Sequence, residues 1–201
     1  METATTLALA YLMGALPTAY LLGRYLRRVD IRGLGTENVG ALNAYRQLGR
    51  GLGVVVLAVD TGKGAAAVLL GQALGAANEA LYFAALLVVL GHNFSPFVGF
   101  KGGKGGATVL GISAVMLWQI TAITVGVGAI LFAVTRHPVW SMTGVFVLLN
   151  ALTIGTSQSL GQILICLVLS IMVAGTHFLR RYPQILPAVR RRDWRMFMSI
   201  E

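Results

Sequence analysis

One cysteine, five prolines and seven acidic residues are all that 201 positions hold of those kinds. The lone cysteine, Cys166, excludes an intrachain disulfide, and its apolar surroundings make it a plain lipid- or core-facing residue. Charged residues make up only 11% of the chain, too few to clothe a soluble domain, while 56% of residues are apolar and the mean hydropathy is +0.76. So few acids against 16 Lys and Arg leave a formal net charge of +9. A basic balance also fits nucleic acid, but zinc-ligand spacing, aromatic-basic interleaving and a soluble basic domain are all missing, so nucleic acid is not expected as a partner. The basic residues sit beside apolar runs, which points to anionic lipid or an anionic substrate. No grouping of His, Cys and carboxylates has metal-site spacing, so neither metal nor cofactor is expected. The first apolar run lacks a basic n-region and closes on Leu22-Gly23-Arg24, so it reads as a retained span and not a cleaved signal peptide.

What is present is a series of runs long enough to cross a bilayer, for which about 20 residues suffice. Residues 4–23, 52–77, 80–98, 138–155 and 160–179 each read as one span. The run 106–135 as a single helix would be about 45 Å long against a hydrocarbon core of about 30 Å. A turn near Trp118-Gln119 makes it a hairpin of two short helices instead. The expectation is an all-α, polytopic membrane helical bundle of seven transmembrane helices, N-terminus outside and C-terminus cytoplasmic, forming one domain over 1–201. It places all 16 Lys and Arg on the inner side. A single long helix would send Arg136 and the tail's Arg180, Arg181, Arg190, Arg191, Arg192 and Arg195 outside. Glycines within the spans, as in Gly71-x-x-x-Gly75, are expected to let helices pack closely.

Three polar patches fall on one face of that bundle. The first runs from Asp30 to Arg46. Within it Gly33-x-Gly35-x-x-Asn38 narrowly misses the dinucleotide fingerprint, lacking its third glycine and any preceding strand. Thr36 reads as a helix N-cap, and Asn38 and Asn43 as caps or turn residues, with a functional role equally open. Arg46 ends a polar cluster and flanks no span. The second patch is Asp60-Thr61-Gly62-Lys63-Gly64, where Asp60 and Lys63 share a helix face three residues apart. Ionisable groups inside a span are costly and mark function or a structural ion pair. The third runs from Gly91-His92-Asn93 to the loop Lys101-Gly102-Gly103-Lys104-Gly105-Gly106. There, glycines bring backbone N–H groups near a bound group and two lysines add positive charge, the makings of a phosphate site. Neither Lys63 nor Lys104 has the spacing of the nucleotide P-loop. His92, beside Asn93, is the histidine best placed for chemistry, whereas His137 and His177 default to structural roles at span ends. None of the three has an aspartate five residues on, which excludes the His-x4-Asp acyltransferases.

These blocks, with Gly14-Ala15-Leu16-Pro17 ahead of them, resemble the bacterial acyl-phosphate:glycerol-3-phosphate acyltransferase family, small polytopic enzymes of phospholipid synthesis. The matching segments are Val29-Asp30-Ile31-Arg32, Gly35 through Asn43, Asp60 with Lys63-Gly64, and Leu90-Gly91-His92-Asn93-Phe94 through Phe100 to Gly105, in family order over about the first 110 residues. The resemblance implies seven spans in a bacterial inner membrane and an active site facing the cytoplasm. It also implies acyl transfer from acyl phosphate to glycerol 3-phosphate, giving 1-acyl-glycerol 3-phosphate (lysophosphatidic acid) and phosphate, with no metal, cofactor or obligatory protein partner. On that reading Thr36, Asn38, Arg46, His92 and Lys104 carry the chemistry, with either His92 or a substrate phosphate as the base. Lys101, Gly102, Gly103, Lys104, Gly105, Arg46 and Lys63 hold phosphate, and Asn43, Asp60 and Asn93 complete the polar site. The sequence departs from the family pattern at Thr36, Glu37 and Leu42. It departs again after the last span, where His-Arg-x-Asn-Ile-x-Arg-Leu is replaced by His177-Phe178-Leu179-Arg180-Arg181-Tyr182-Pro183-Gln184, so neither the histidine nor the asparagine is carried over. The other classes the residues allow are a membrane transporter or binding protein for small organic phosphates, and a catalytically weak divergent homologue.

Overall fold

The computed structural model describes residues 2–156 and 159–200. Among them every regular element is helical. Helix α1 (Glu2–Ala15) stops where Pro17 offers no N–H, and the chain resumes as α2 (Thr18–Leu22), which runs on through a π-helical turn at Gly23–Arg27. The two halves bend by 41°. The break leaves the carbonyls at the end of α1 without helical partners, and side chains take them. Ser95 Oγ donates to the Ala15 carbonyl at 2.5 Å and Lys63 Nζ to the Leu16 carbonyl at 3.1 Å.

A polar loop leads to α3 (Ala41–Gln47), then α4 (Arg50–Ala73), α5 (Asn78–Asn93) and the glycine-lysine loop. After the loop come α6 (Gly106–Met116), α7 (Trp118–Thr135), α8 (Pro138–Gly155), α9 (Leu160–Arg190) and α10 (Trp194–Ser199). Among the described residues five helices are long and apolar enough to cross a membrane, or six where the bent α1–α2 pair counts as one span. The run 106–135 is broken as expected, one residue earlier than Trp118, at Leu117 (φ −143°, ψ 50°). The first product, α6, has only 11 residues and is shorter than a full span.

Two expectations change in detail. Gly71 serves packing, because a side chain there would meet Leu81 and Thr6, but Gly75 lies in the left-handed region (φ +70°) past the end of α4 and closes the helix. The helix of the last span, α9, does not end at 179. It starts on a reciprocal capping box between Ser159 and Gln162 and continues to Arg190 through Pro183 and Pro187.

Packing divides the interior in two. The larger cluster joins α1 and α4 through α9 around Val68, Val88, Ile112, Leu149 and Leu169, with Ile120 as the α7 contribution. The smaller gathers Ala19, Ile31, Val39, Ala44, Leu48 and Val56, so the polar first loop is pinned to the start of α4 by buried apolar residues. Large apolar side chains on the outer faces of α7, α8 and α9, such as Val134, Val147 and Ile171, stay exposed, as lipid-facing positions do.

Candidate active site

The first loop is organised by Asn43. Its Oδ1 accepts from the Thr36 amide at 3.1 Å, while Nδ2 donates to the Leu34 and Asn38 carbonyls, each at 3.0 Å. Asn43 is buried, so these bonds fix a stretch that has no regular structure of its own. Thr36 caps no helix: α3 begins five residues later, after Gly40. At the loop's start Asp30 accepts the Arg32 side chain, and that hydrogen bond holds the Asp30 carboxyl below its ordinary range and raises the Arg32 guanidinium.

Beneath the glycine-lysine loop lies a buried ionic cluster. Lys63 Nζ stands 2.9 Å from Asp60 Oδ1, one turn apart on α4, and Thr18 Oγ1 donates to the same oxygen at 3.5 Å. His92 Nδ1 is 3.8 Å from it. The His92 ring packs against Gly103 so closely that a Cβ on that glycine would overlap the imidazole. The amides of Gly102 and Gly103 donate to the carbonyls of Asn93 and His92 at 3.1 and 2.9 Å. Two of the N–H groups expected to cradle phosphate are therefore spent on fastening the loop to the end of α5. Gly105, at φ +88°, then turns the chain into α6, whose first turn is headed by Lys104 and Gly105.

Helix α9 closes the site from the other side, and here sequence reasoning missed a residue. Lys104 Nζ lies 3.0 Å from His177 Nδ1. A charged ammonium only donates, so this contact matches the His177 tautomer with its proton on Nε2 and a lone pair on Nδ1. One turn on, Arg180 donates to the carbonyls of Gly102 and Asn93 and, at 3.4 Å, to Asn38 Oδ1. Arg181 donates to the Thr36 carbonyl at 2.9 Å. The spacing 177, 180, 181 is that of one helix face, a signal present in the sequence but masked because the residues look like positive-inside flanking charge.

The expected residues are thus brought together unevenly. Thr36, Asn38, Asn93, Gly102 and Lys104 meet on the α9 face, with Asn93 Nδ2 donating to Thr176 Oγ1 at 2.9 Å. Asp60, Lys63 and His92 form the buried layer below, behind Gly102 and Gly103. Lys101 is exposed at the outer end of the glycine loop, and Arg46 is exposed in the last turn of α3. Beside Thr36 and Arg181 a cavity of about 330 Å³ opens, walled on its far side by Met196, Ser199 and Ile200 from the C-terminal segment. Arg181 Nε is buried there without a hydrogen-bond partner among the described residues. A polar recess of this size with a guanidinium in its wall suits a small phosphate ester.

The glycerol-3-phosphate acyltransferase family model matches residues 4–182. Among curated relatives, a glycerol-3-phosphate acyltransferase of Synechococcus sp. (strain JA-2-3B'a(2-13)) is 42% identical over 167 residues, 83% of each protein. Glycerol-3-phosphate acyltransferase 4 of Dehalococcoides mccartyi (strain ATCC BAA-2266 / KCTC 15142 / 195) is 37% identical over 172 residues, 86% of this chain and 93% of that one. Among solved structures, the integral membrane glycerol 3-phosphate acyltransferase PlsY in its glycerol 3-phosphate form superimposes with a TM-score of 0.85 at 27% identity, covering 94% of each chain. The lysophosphatidic acid form of PlsY gives 0.82 at 26% identity. With the family model matched over residues 4–182, and the fold and most of the chain's length in agreement, the chain belongs to the glycerol-3-phosphate acyltransferase family of integral membrane enzymes.

Proposed function

We propose that the protein transfers a fatty acyl group from acyl phosphate to glycerol 3-phosphate at the site headed by Lys104. The observation that carries this is the pairing of Lys104 with His177 at the mouth of the glycine loop, next to a polar recess walled by Thr36 and Arg181. The hydroxyl on C1 of glycerol 3-phosphate attacks the acyl carbonyl. The bond from that carbon to the phosphate oxygen breaks, leaving 1-acyl-glycerol 3-phosphate and inorganic phosphate, and the hydroxyl proton leaves with the phosphate. Acyl phosphate already has a good leaving group, so the protein's part is positioning and charge neutralisation. Lys104, with Lys101 and Arg46, meets the phosphate charge; Thr36 and Asn38 orient the glycerol end. The burial of His92 behind Gly103 favours substrate phosphate over His92 as the base. A His92→Ala variant with near-normal turnover is the expected result.

The same reading puts seven spans in a bacterial inner membrane, α6 being a short seventh, with the N-terminus outside, the tail and the site in the cytoplasm. It is supported by the contacts of Arg180 and Arg181, which join the tail-side end of α9 to the first loop and the glycine loop, so the three basic regions share one face. The direct test compares donors in purified protein: lysophosphatidic acid should form from acyl phosphate and labelled glycerol 3-phosphate, and not from acyl-CoA or acyl carrier protein. Uptake of labelled glycerol 3-phosphate into vesicles without any product would replace this reading with transport.

A further inference from the structure

The glycine-lysine loop has little means of holding its own shape. Five of the eight residues from Gly99 to Gly106 are glycine, and glycine loses more conformational freedom on ordering than any other residue. On one side the loop is tied by the Gly102 and Gly103 amides to the end of α5. On the α9 side, besides the Lys104 contact with His177, it meets the Arg180 guanidinium. The Arg180 guanidinium bonds the Gly102 carbonyl through Nη1 and the Asn93 carbonyl through Nη2 at 2.7 Å, and Nη1 also reaches Asn38 Oδ1. These acceptors come from three segments: the first loop, the end of α5 and the glycine loop. Lys104 follows Gly102 by two residues, and its partner His177 precedes Arg180 by three on the same helix face. The tie therefore sits beside the Lys104–His177 pair.

We propose that Arg180 is a positioning residue for acyl transfer. Its forked guanidinium clamps the glycine loop and the first loop onto α9, so that Lys104 stands in register with His177 and with Thr36. This rests on the acyl-transfer reading for its kinetic consequence, but the clamp itself is a statement about the loop. A fork of five N–H donors fixed in one plane reaches the Gly102 and Asn93 carbonyls and Asn38 Oδ1 at once. The lysine ammonium, a point charge at the end of a flexible stem, does not reproduce that. Arg181, its neighbour, is tied to the Thr36 carbonyl and faces the cavity, so the two adjacent arginines divide the work of holding the two loops.

The experiment uses the full-length protein in lipid nanodiscs with the variants Arg180→Gln, Arg180→Lys and Arg180→Gly. In all three, amide hydrogen exchange over residues 99–106 should accelerate while the interior of α4 and α5 stays protected. Turnover in Arg180→Gln and Arg180→Lys should fall about 100-fold, the size expected when a reacting group is displaced by about 1 Å, with the KM for glycerol 3-phosphate within a few-fold of the wild type. Millimolar methylguanidinium should restore much of the rate to Arg180→Gly, and methylammonium should not. A purely structural role would show general loss of protection and no rescue, and would overturn the proposal. So would unchanged loop exchange, or recovery of the rate by Arg180→Lys. A raised KM at full kcat would move Arg180 to direct substrate binding and equally overturn it. If the wild type itself shows no turnover, the acyl-transfer reading fails, and the exchange data still decide whether Arg180 clamps the loop.

Discussion

Asp60 and Lys63 face each other at 2.9 Å with almost no solvent contact, and this decides what removing either does. Deleting one partner leaves an uncompensated charge inside the bundle, at a cost of about 3–5 kcal/mol. Lys63→Met should therefore lower the thermal midpoint of the detergent-solubilised protein sharply, and the double variant Asp60→Leu/Lys63→Met should recover most of the loss. If the double variant is no more stable than the single one, the pair is more than structural. Its i, i+3 spacing was legible in the sequence because both residues break an apolar run. His177 was not legible, since a histidine beside two arginines at a span end looks like surface charge. Only the fold brings Lys104, 73 positions earlier, to its Nδ1. His177→Ala should cut turnover by about 10- to 100-fold if it supports Lys104 through that hydrogen bond, on the scale of removing a group that positions a reacting one, and a pre-steady-state measurement of the acyl-transfer step checks it.

Among the elements, α4 and α6 meet backbone to backbone. A Cβ on Gly64 would collide with the Thr108 carbonyl, and one on Gly111 with that of Thr61. Gly64→Ala or Gly111→Ala should push the two helices apart at about 1–3 kcal/mol, read as a drop in thermal midpoint. Gly62→Ala, on the same helix but facing open space, should be neutral or slightly stabilising. The proline at 17 was readable as a kink, and the excess length of 106–135 correctly required a break. The extent of α9 was not readable, because two prolines and a run of arginines have the composition of a tail. Each proline removes one backbone donor, yet the helix persists, with Arg180 and Arg181 bonded to the loops opposite and the tail packed back through the Trp140 to Met198 hydrogen bond at 3.2 Å.

At the scale of the whole molecule, three segments far apart in sequence assemble one polar face: the first loop, the glycine loop and the end of α9. The charge distribution predicts that this face is cytoplasmic. In a Cys166→Ser background, single cysteines at Lys101 and Arg191 should react with a membrane-impermeant maleimide only in inside-out vesicles, and one at Thr5 only in intact cells. Labelling of Arg191→Cys and Thr5→Cys from the same side would require an even number of spans in place of seven.

Whether acyl transfer takes place at Lys104 is decided by a single assay. Purified wild type and Lys104→Ala are given acyl phosphate and labelled glycerol 3-phosphate under identical conditions. Lysophosphatidic acid formed by the wild type and lost in Lys104→Ala, with the variant still folded, is the predicted result. Equal product from both proteins would contradict it.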